Sequence, residues 1–314
     1  MRKPFQRRCK HSSILNHLHS FIHLPVYSIE RRRQQYDFYI LFDRATPSKL
    51  EVVPDRGGII TSWQVQGREL LYMDTARFAD PNLSVRGGIP ILFPICGNLP
   101  NNAYTHNGQS YSLKQHGFAR DLPWEVVDQQ TENGLSLTIA LESNEQTRAV
   151  YPFDFRVEFT YRLEDQRLII EQRFTNASSE RMPFSIGFHP YFLALDKSQL
   201  RFEIPATEAI DQKTQQRQPF FNTFDFSQAE IDWAFLDLNQ RVGSVADLSR
   251  HTRVTLSANP EFSTFVFWTL QGKDFYCLEP WSAPRNALNT GEQLIYLEPG
   301  ATLETTITLT VEFN

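Results

Sequence analysis

From about residue 36 onward, apolar and polar side chains alternate with a period of two in short runs. The segments YDFYILFD (36–43), KLEVVPD (49–55), GIITSWQV (58–65) and RELLYM (68–73) follow one another quickly, broken by Pro and Gly. The pattern returns in LSLTIALES (135–143), FRVEFTYRLE (155–164), RLIIEQRFTN (167–176), RVTLSA (253–258), TFVFWTL (264–270), DFYCLEPW (274–281) and TLETTITLTVEFN (302–314). Successive side chains on a strand point to opposite faces, so a strand with one buried face reads as alternation. These runs are rich in β-branched and aromatic residues, which suit a pleated surface. Helical periodicity is nearly absent, and its best candidate is a short segment around 225–237. Turn signals spaced by ~8–12 residues predict an all-β fold, a large antiparallel β-sandwich with few short helices. The stretches 81–123 and 197–232 read as long loops, which in a compact domain are usually functional.

A chain of 314 residues can form one large β domain, and neither a linker rich in Gly, Ser or Pro nor an internal repeat divides it. No apolar run approaches the ~18–20 residues that span a bilayer, so a membrane partner is not expected. Residues 1–33 differ from the rest of the chain. They hold eight Lys or Arg against the single acid Glu30, and four histidines, His11, His17, His19 and His23. The expected division is therefore a basic, disordered extension over 1–33 and a single sandwich domain over 34–314. A transit-peptide-like address is the alternative for the extension. A metal site in its His-rich tract lacks visible partners, and no apolar run of a secretory signal comes after the basic start. Net charge is −5, and because the extension is basic, the body is more acidic still. That excludes the basic face of a general nucleic-acid binder. The cysteines Cys9, Cys96 and Cys277 offer no disulfide framework and no C-x-x-C spacing, so a reduced, cytoplasmic compartment is expected.

Four segments place polar groups among aromatic, Gly and Pro residues, as a rigid and partly dry pocket requires. They are RGGIPILFPICGNLP (86–100), LKQHGFARDLPWEV (113–126), FSIGFHPYF (184–192) and FYCLEPWSAPRNALNTGE (275–292). His189, set between Phe188 and Tyr191-Phe192, is either a core histidine satisfied by a carbonyl or an imidazole tuned for proton transfer. Glu279 lies in an apolar strand end, where a carboxylate needs a partner. It is either a rim carboxylate bound by an arginine such as Arg285 or a general base beside Trp281. His116 and Arg120 share the loop segment QHGFAR and could simply be solvated. Arg86 precedes Gly87-Gly88, which lets a guanidinium and backbone amides approach an anionic or hydroxyl-rich ligand; a structural ion pair is the ordinary alternative. Asp232, in IDWAF, could equally cap a turn.

In their order along the chain, RGGIP, HGFAR, GFHPYF, D-x-x-F and LEPW resemble the aldose 1-epimerase superfamily, from about residue 37 to the C-terminus. The resemblance implies the galactose mutarotase-like supersandwich and catalysis without a metal or redox cofactor. It implies His189 as the general acid that protonates the ring oxygen and Glu279 as the base that takes the anomeric hydroxyl proton. Asp232, His116 and Arg86 correspond to substrate-binding positions. RGGIP with HGFAR looks like the branch that includes hexose-6-phosphate mutarotases, in which Arg86 and Arg120 would hold the phosphate. EPWSAPRNALNTGE looks more like bacterial epimerases of unassigned sugar preference.

The function expected is thus interconversion of the α and β anomers of an aldohexose. The alternatives are a hexose-6-phosphate 1-epimerase and a non-catalytic carbohydrate-binding domain. A glycoside hydrolase would need two carboxylates flanking the bond rather than a His/Glu pair. The expected partner is a small sugar or sugar phosphate, bound by a monomer or dimer.

Overall fold

The computed structural model describes residues 25–313. Strict alternation builds its longest hairpin: Phe155–Glu164 pairs antiparallel with Arg167–Asn176 along their whole lengths. Phe155, Val157, Phe159, Tyr161 and Leu163 of the first strand, and Leu168, Ile170 and Phe174 of the second, are all buried. This hairpin sits inside an eight-stranded sheet. On one side lie Leu135–Glu142 and Glu125–Gln130; on the other lie Thr302–Phe313, Thr252–Ala258, Val242–Asp247 and Leu200–Glu203.

A second eight-stranded sheet carries the chemistry. Across it run Arg217–Pro219, Glu208–Asp211, Glu230–Phe235, Thr264–Leu270, Phe275–Trp281, Gly187–Phe188 and Ile91–Leu92, with Tyr191–Leu193 also paired to Phe275–Trp281. A smaller sheet of five strands spans Tyr27 to Glu69. Every ladder between these strands is antiparallel, as the sandwich expectation required.

The strand Phe275–Trp281 is buried along its whole length. Tyr276 and Leu278 join Phe265 and Phe267 in the main core cluster, which also gathers residues from the other two sheets. The intervening Cys277, Glu279 and Trp281 face the opposite way, as the two-residue period demands. A strand that is apolar on one face and partly polar on a buried second face is the foundation of a pocket rather than a simple core strand.

Several expectations change. The disorder expected over 1–33 does not hold for its last seven residues, because Tyr27–Arg33 pairs with Asp37–Asp43 from Tyr27 opposite Asp43 to Arg33 opposite Asp37. Asp37 lies against Arg31 and Arg33, which gives this basic segment a local reason to fold back; residues 1–24 lie outside the described residues. The helix anticipated around 225–237 is instead the strand Glu230–Phe235, paired with Thr264–Leu270. Sheet pairing overrode a weak local pattern. The supposed loop 197–232 contains three further short strands at Leu200–Glu203, Glu208–Asp211 and Arg217–Pro219. The helices among the described residues are short, Thr75–Ala79, Glu145–Arg148 and Ala287–Thr290, and none is long and apolar enough to cross a membrane.

Candidate active site

Neighbouring strands bring distant motifs together. Gly187 pairs with Leu92 on one side and Trp281 on the other. Just beyond that strand, the amide of His189 donates to the Pro90 carbonyl (3.1 Å) and that of Tyr191 to the Gly88 carbonyl (2.9 Å). The RGGIP and GFHPYF segments are therefore zipped together, and Arg86 is carried to the same end of the sheet as His189. Gly88 lets the same segment also pass close to Ile60: its φ is +63°, and a Cβ there would stand 2.1 Å from the Ile60 carbonyl oxygen.

The HGFAR loop docks on residues 93–97. The Phe118 amide donates to the Phe93 carbonyl (3.0 Å) and the His116 amide to the Gly97 carbonyl (2.7 Å). In return, the Gly97 amide donates to Nδ1 of His116 (3.0 Å). His116 has φ +66°, a conformation that costs a non-glycine residue energy unless its surroundings enforce it. The reciprocal bonds supply that enforcement. Because Nδ1 accepts, the proton of the neutral ring sits on Nε2.

Six sequence-identified residues, Arg86, His116, Arg120, His189, Asp232 and Glu279, line one cavity of about 430 Å³. At its floor, Nε2 of His189 lies 3.3 Å from Oε1 of Glu279. The other carboxyl oxygen, Oε2, accepts the indole N–H of Trp281 at 3.0 Å. Glu279 is 1% exposed and His189 9%. The imidazole stacks nearly parallel on Tyr191, with centroids 4.6 Å apart, and meets the edges of Trp268 and His116.

Burial governs the proton affinities. It pushes the His189 pKa down to about 3, with Arg120 adding to the effect. It raises the Glu279 carboxyl well above the ordinary 4.5, assisted by Asp232 and opposed by the Trp281 hydrogen bond and by Arg285 and Arg120. It also lowers His116 well below 6.5, again with Arg120 contributing. Removal from water disfavours both charges, so burial favours the uncharged imidazole and the protonated carboxyl.

The remaining residues separate into paired and unpaired charges. Asp232 is not a turn cap: it lies within Glu230–Phe235, receives Gln212 Nε2 at 2.7 Å and forms an ion pair with Arg285 at 2.7 Å. Arg285 thus holds Asp232 rather than Glu279. Glu230 is engaged by Lys213 and by the Trp268 indole. In contrast, Arg77, Arg86 and Arg120 form no ion pair among the described residues. Arg120 gives Nη2 to the Gln115 carbonyl at 2.8 Å, while its Nε is buried without a partner. The guanidinium of Arg86 stands 6.0 Å over the Trp268 ring. Arg77, Glu230 and Trp268 also line the cavity but carried no recognisable motif, and Gln115 lay within QHGFAR without being singled out. For Trp268 the available signal was its parity with Val266 in TFVFWTL, which places both on the face opposite Phe265 and Phe267.

His189, Cys277 and Glu279 bring donor atoms within 4.8 Å of one another. Burial holds the Cys277 thiol well above its ordinary pKa, and a protonated thiol is a poor metal ligand. Cys277 is thus better suited to packing than to coordination.

Comparison with known proteins bears on the family and the fold. The chain matches the aldose 1-epimerase family over residues 45–310. It is 28% identical over 277 residues to the LacX protein of Lactococcus lactis, covering 78% of this chain and 85% of that protein. It is 26% identical over 291 residues to a Cenchrus ciliaris protein named as a candidate glucose-6-phosphate 1-epimerase, covering 81% of this chain and 83% of that one. Among solved structures, the Slr1438 protein of Synechocystis sp. PCC 6803 superposes with a TM-score of 0.87 at 45% identity, covering 91% of this chain and all 100% of the other. A galactose mutarotase-like protein from Clostridium acetobutylicum shares the fold at 18% identity, with a TM-score of 0.76 and coverage of 92% and 99%. The chain belongs to the aldose 1-epimerase family.

Proposed function

We propose that this protein interconverts the α and β anomers of an aldohexose, with His189 and Glu279 as the proton-transfer pair. The observation that carries this reading is their 3.3 Å contact at the floor of a polar cavity of hexose size. Ring opening needs one proton delivered to the ring oxygen and one removed from the anomeric hydroxyl. Passing one proton from the Glu279 carboxyl to His189 creates the imidazolium and carboxylate without changing the proton count of the pair. The imidazolium then protonates the ring oxygen as the C1–O5 bond breaks, and the carboxylate takes the hydroxyl proton. Rotation about C1–C2 and reversal of both transfers close the other anomer, leaving each group as it began.

The opposed pKa shifts suit these roles. A lowered histidine value makes its imidazolium a stronger acid, and a raised carboxyl value makes its carboxylate a stronger base. Asp232 and His116 line the cavity as sugar-hydroxyl contacts, Asp232 through a carboxylate whose orientation Arg285 and Gln212 fix. Within this reaction, Arg77, Arg86 and Arg120 favour a phosphorylated hexose: three cations without carboxylate partners suit a phosphate dianion better than a neutral hydroxyl.

The test is anomer exchange measured by NMR on glucose and on glucose 6-phosphate, with wild type and Glu279→Gln. We expect acceleration in the wild type, a loss on the order of 10²–10⁴-fold in the variant, and saturation at lower concentration with the phosphate ester. Folded wild-type protein that binds sugar but accelerates no anomer exchange would leave a carbohydrate-binding module as the better account.

A further inference from the structure

The proton-transfer pair leaves one buried contact unexplained. Glu279 and Trp281 are two residues apart on the strand Phe275–Trp281, so their side chains share the face that lines the cavity. The indole N–H reaches back to Oε2 at 3.0 Å, and it is the hydrogen-bond donor that the carboxyl has among the described residues besides its His189 contact. Pro280 separates the two and lies opposite Phe265, its fixed φ stiffening the strand between base and indole.

The indole itself is clamped. Trp281 is 1% exposed. Its ring meets the His116 imidazole edge-on at 5.6 Å between centroids. On the other side lies Gly187, where an added Cβ would fall 2.8 Å from Trp281 Cδ1 and 2.8 Å from Cys96 Sγ. Only a residue without a side chain lets the indole lie as it does. Core packing alone would not require the N–H to point at the carboxyl; an apolar ring of similar size would fill the same space.

We propose that Trp281 is a positioning residue, whose indole N–H fixes the Glu279 carboxyl so that Oε2 is saturated and Oε1 is left for proton transfer. This rests on the epimerase reading of the His189–Glu279 pair. A carboxylate held through one oxygen cannot rotate away from His189, and a donor to its charged form favours that form. Loss of the donor leaves substrate contacts intact but makes the reactive carboxylate rarer and less well aimed.

The experiment compares wild type with Trp281→Phe, which keeps an aromatic ring and removes the N–H, and with Gly187→Ala, which displaces the indole without altering the identity of Trp281 or Glu279. We expect kcat to fall by about 10-fold or more, the scale of a lost hydrogen bond to a charged group, with KM nearly unchanged. The basic limb of the kcat–pH profile, where the pair loses its shared proton, should move to higher pH in both variants. Infrared titration of the Glu279 carboxyl band, assigned by its loss in Glu279→Gln, should show the same upward move without reference to turnover. A folded Trp281→Phe protein with unaltered carboxyl titration overturns the proposal, and so does a raised KM at constant kcat, which would make Trp281 a stacking surface for the sugar. If Trp281→Phe does not fold, an unshifted band in Gly187→Ala does so instead. An inactive wild type with a shifted band would count against the epimerase reading but not against the hydrogen bond's role in holding the carboxyl.

Discussion

At the scale of single residues, the cavity is held in a state that favours reaction over stability. A carboxyl 1% exposed is tolerated only when neutral or paired. Glu279 has the raised pKa this implies, through burial first and Asp232 second. The consequence for folding has a definite sign. A group whose folded pKa exceeds its unfolded value binds a proton in the native state that the unfolded chain has released. Its contribution is complete below the ordinary 4.5 and is lost as pH rises toward the folded value, at about 1.4 kcal/mol per pH unit. His189 acts in the opposite sense: its folded value near 3 lies below the ordinary 6.5, so its contribution is present above 6.5 and declines as pH falls toward 3. Replacing Glu279 by Gln removes the first slope while keeping the shape and an acceptor for Trp281. Chemical denaturation from pH 5 to 8 should therefore show Glu279→Gln gaining stability relative to wild type as pH rises, even as its expected turnover falls. A constant difference across that range would mean that the carboxyl is charged in the folded protein.

Among the elements, alternation revealed the strand that carries Glu279 and Trp281, but not the short strands that bring the other motifs to it. Phe155–Glu164 and Arg167–Asn176 were legible because each has one wet and one dry face over ten residues. Gly187–Phe188 and Ile91–Leu92 have two residues each, all buried, so no period exists to be read. Glu230–Phe235 escaped notice because both of its faces carry mixed side chains, with Asp232 and Trp233 half-buried beside buried Ile231, Ala234 and Phe235. The motifs fared better than the elements. His189, Glu279, Arg86, His116, Arg120 and Asp232 converge on one cavity, since Gly- and Pro-rich segments around polar residues mark where backbone and ligand come close. Partners set by tertiary pairing, such as Arg285 for Asp232, could not be chosen from sequence.

The HGFAR loop shows how strictly such an element is fitted. Gly117 has φ +72°, and a Cβ there would stand 2.2 Å from the Phe93 carbonyl oxygen, whereas Gly108 has φ +77° with nothing within 4 Å. Alanine at Gly108 should cost about 1 kcal/mol, the conformational penalty alone. Alanine at Gly117 adds a backbone collision and should cost roughly 1–3 kcal/mol more. It should also lower kcat, since the loop carries His116 and Arg120. Paired thermal melts and rate measurements on the two variants check this, and equal costs would show that the loop shifts freely away from residues 93–97.

For the whole molecule, charge is distributed against its own average. The chain carries −5, yet the cavity presents Arg77, Arg86 and Arg120, while its acids are tied up: Asp232 by Arg285 and Glu230 by Lys213. A positive cavity in an acidic body focuses the field at one opening, drawing in an anion that the remaining surface repels. Such attraction is screened over about 8 Å at physiological ionic strength, whereas the buried His189–Glu279 contact is largely shielded from salt. These two ranges separate binding from chemistry. Raising ionic strength from about 0.02 to 0.5 M should increase KM for glucose 6-phosphate several-fold and leave kcat unchanged, with both constants for free glucose flat. Arg86→Gln should raise KM for the phosphate ester by about 10-fold, blunt its salt dependence and leave free glucose unaffected. If salt and Arg86→Gln instead affect both sugars equally, the arginines contact hydroxyls common to the two, and the enzyme's natural substrate carries no phosphate.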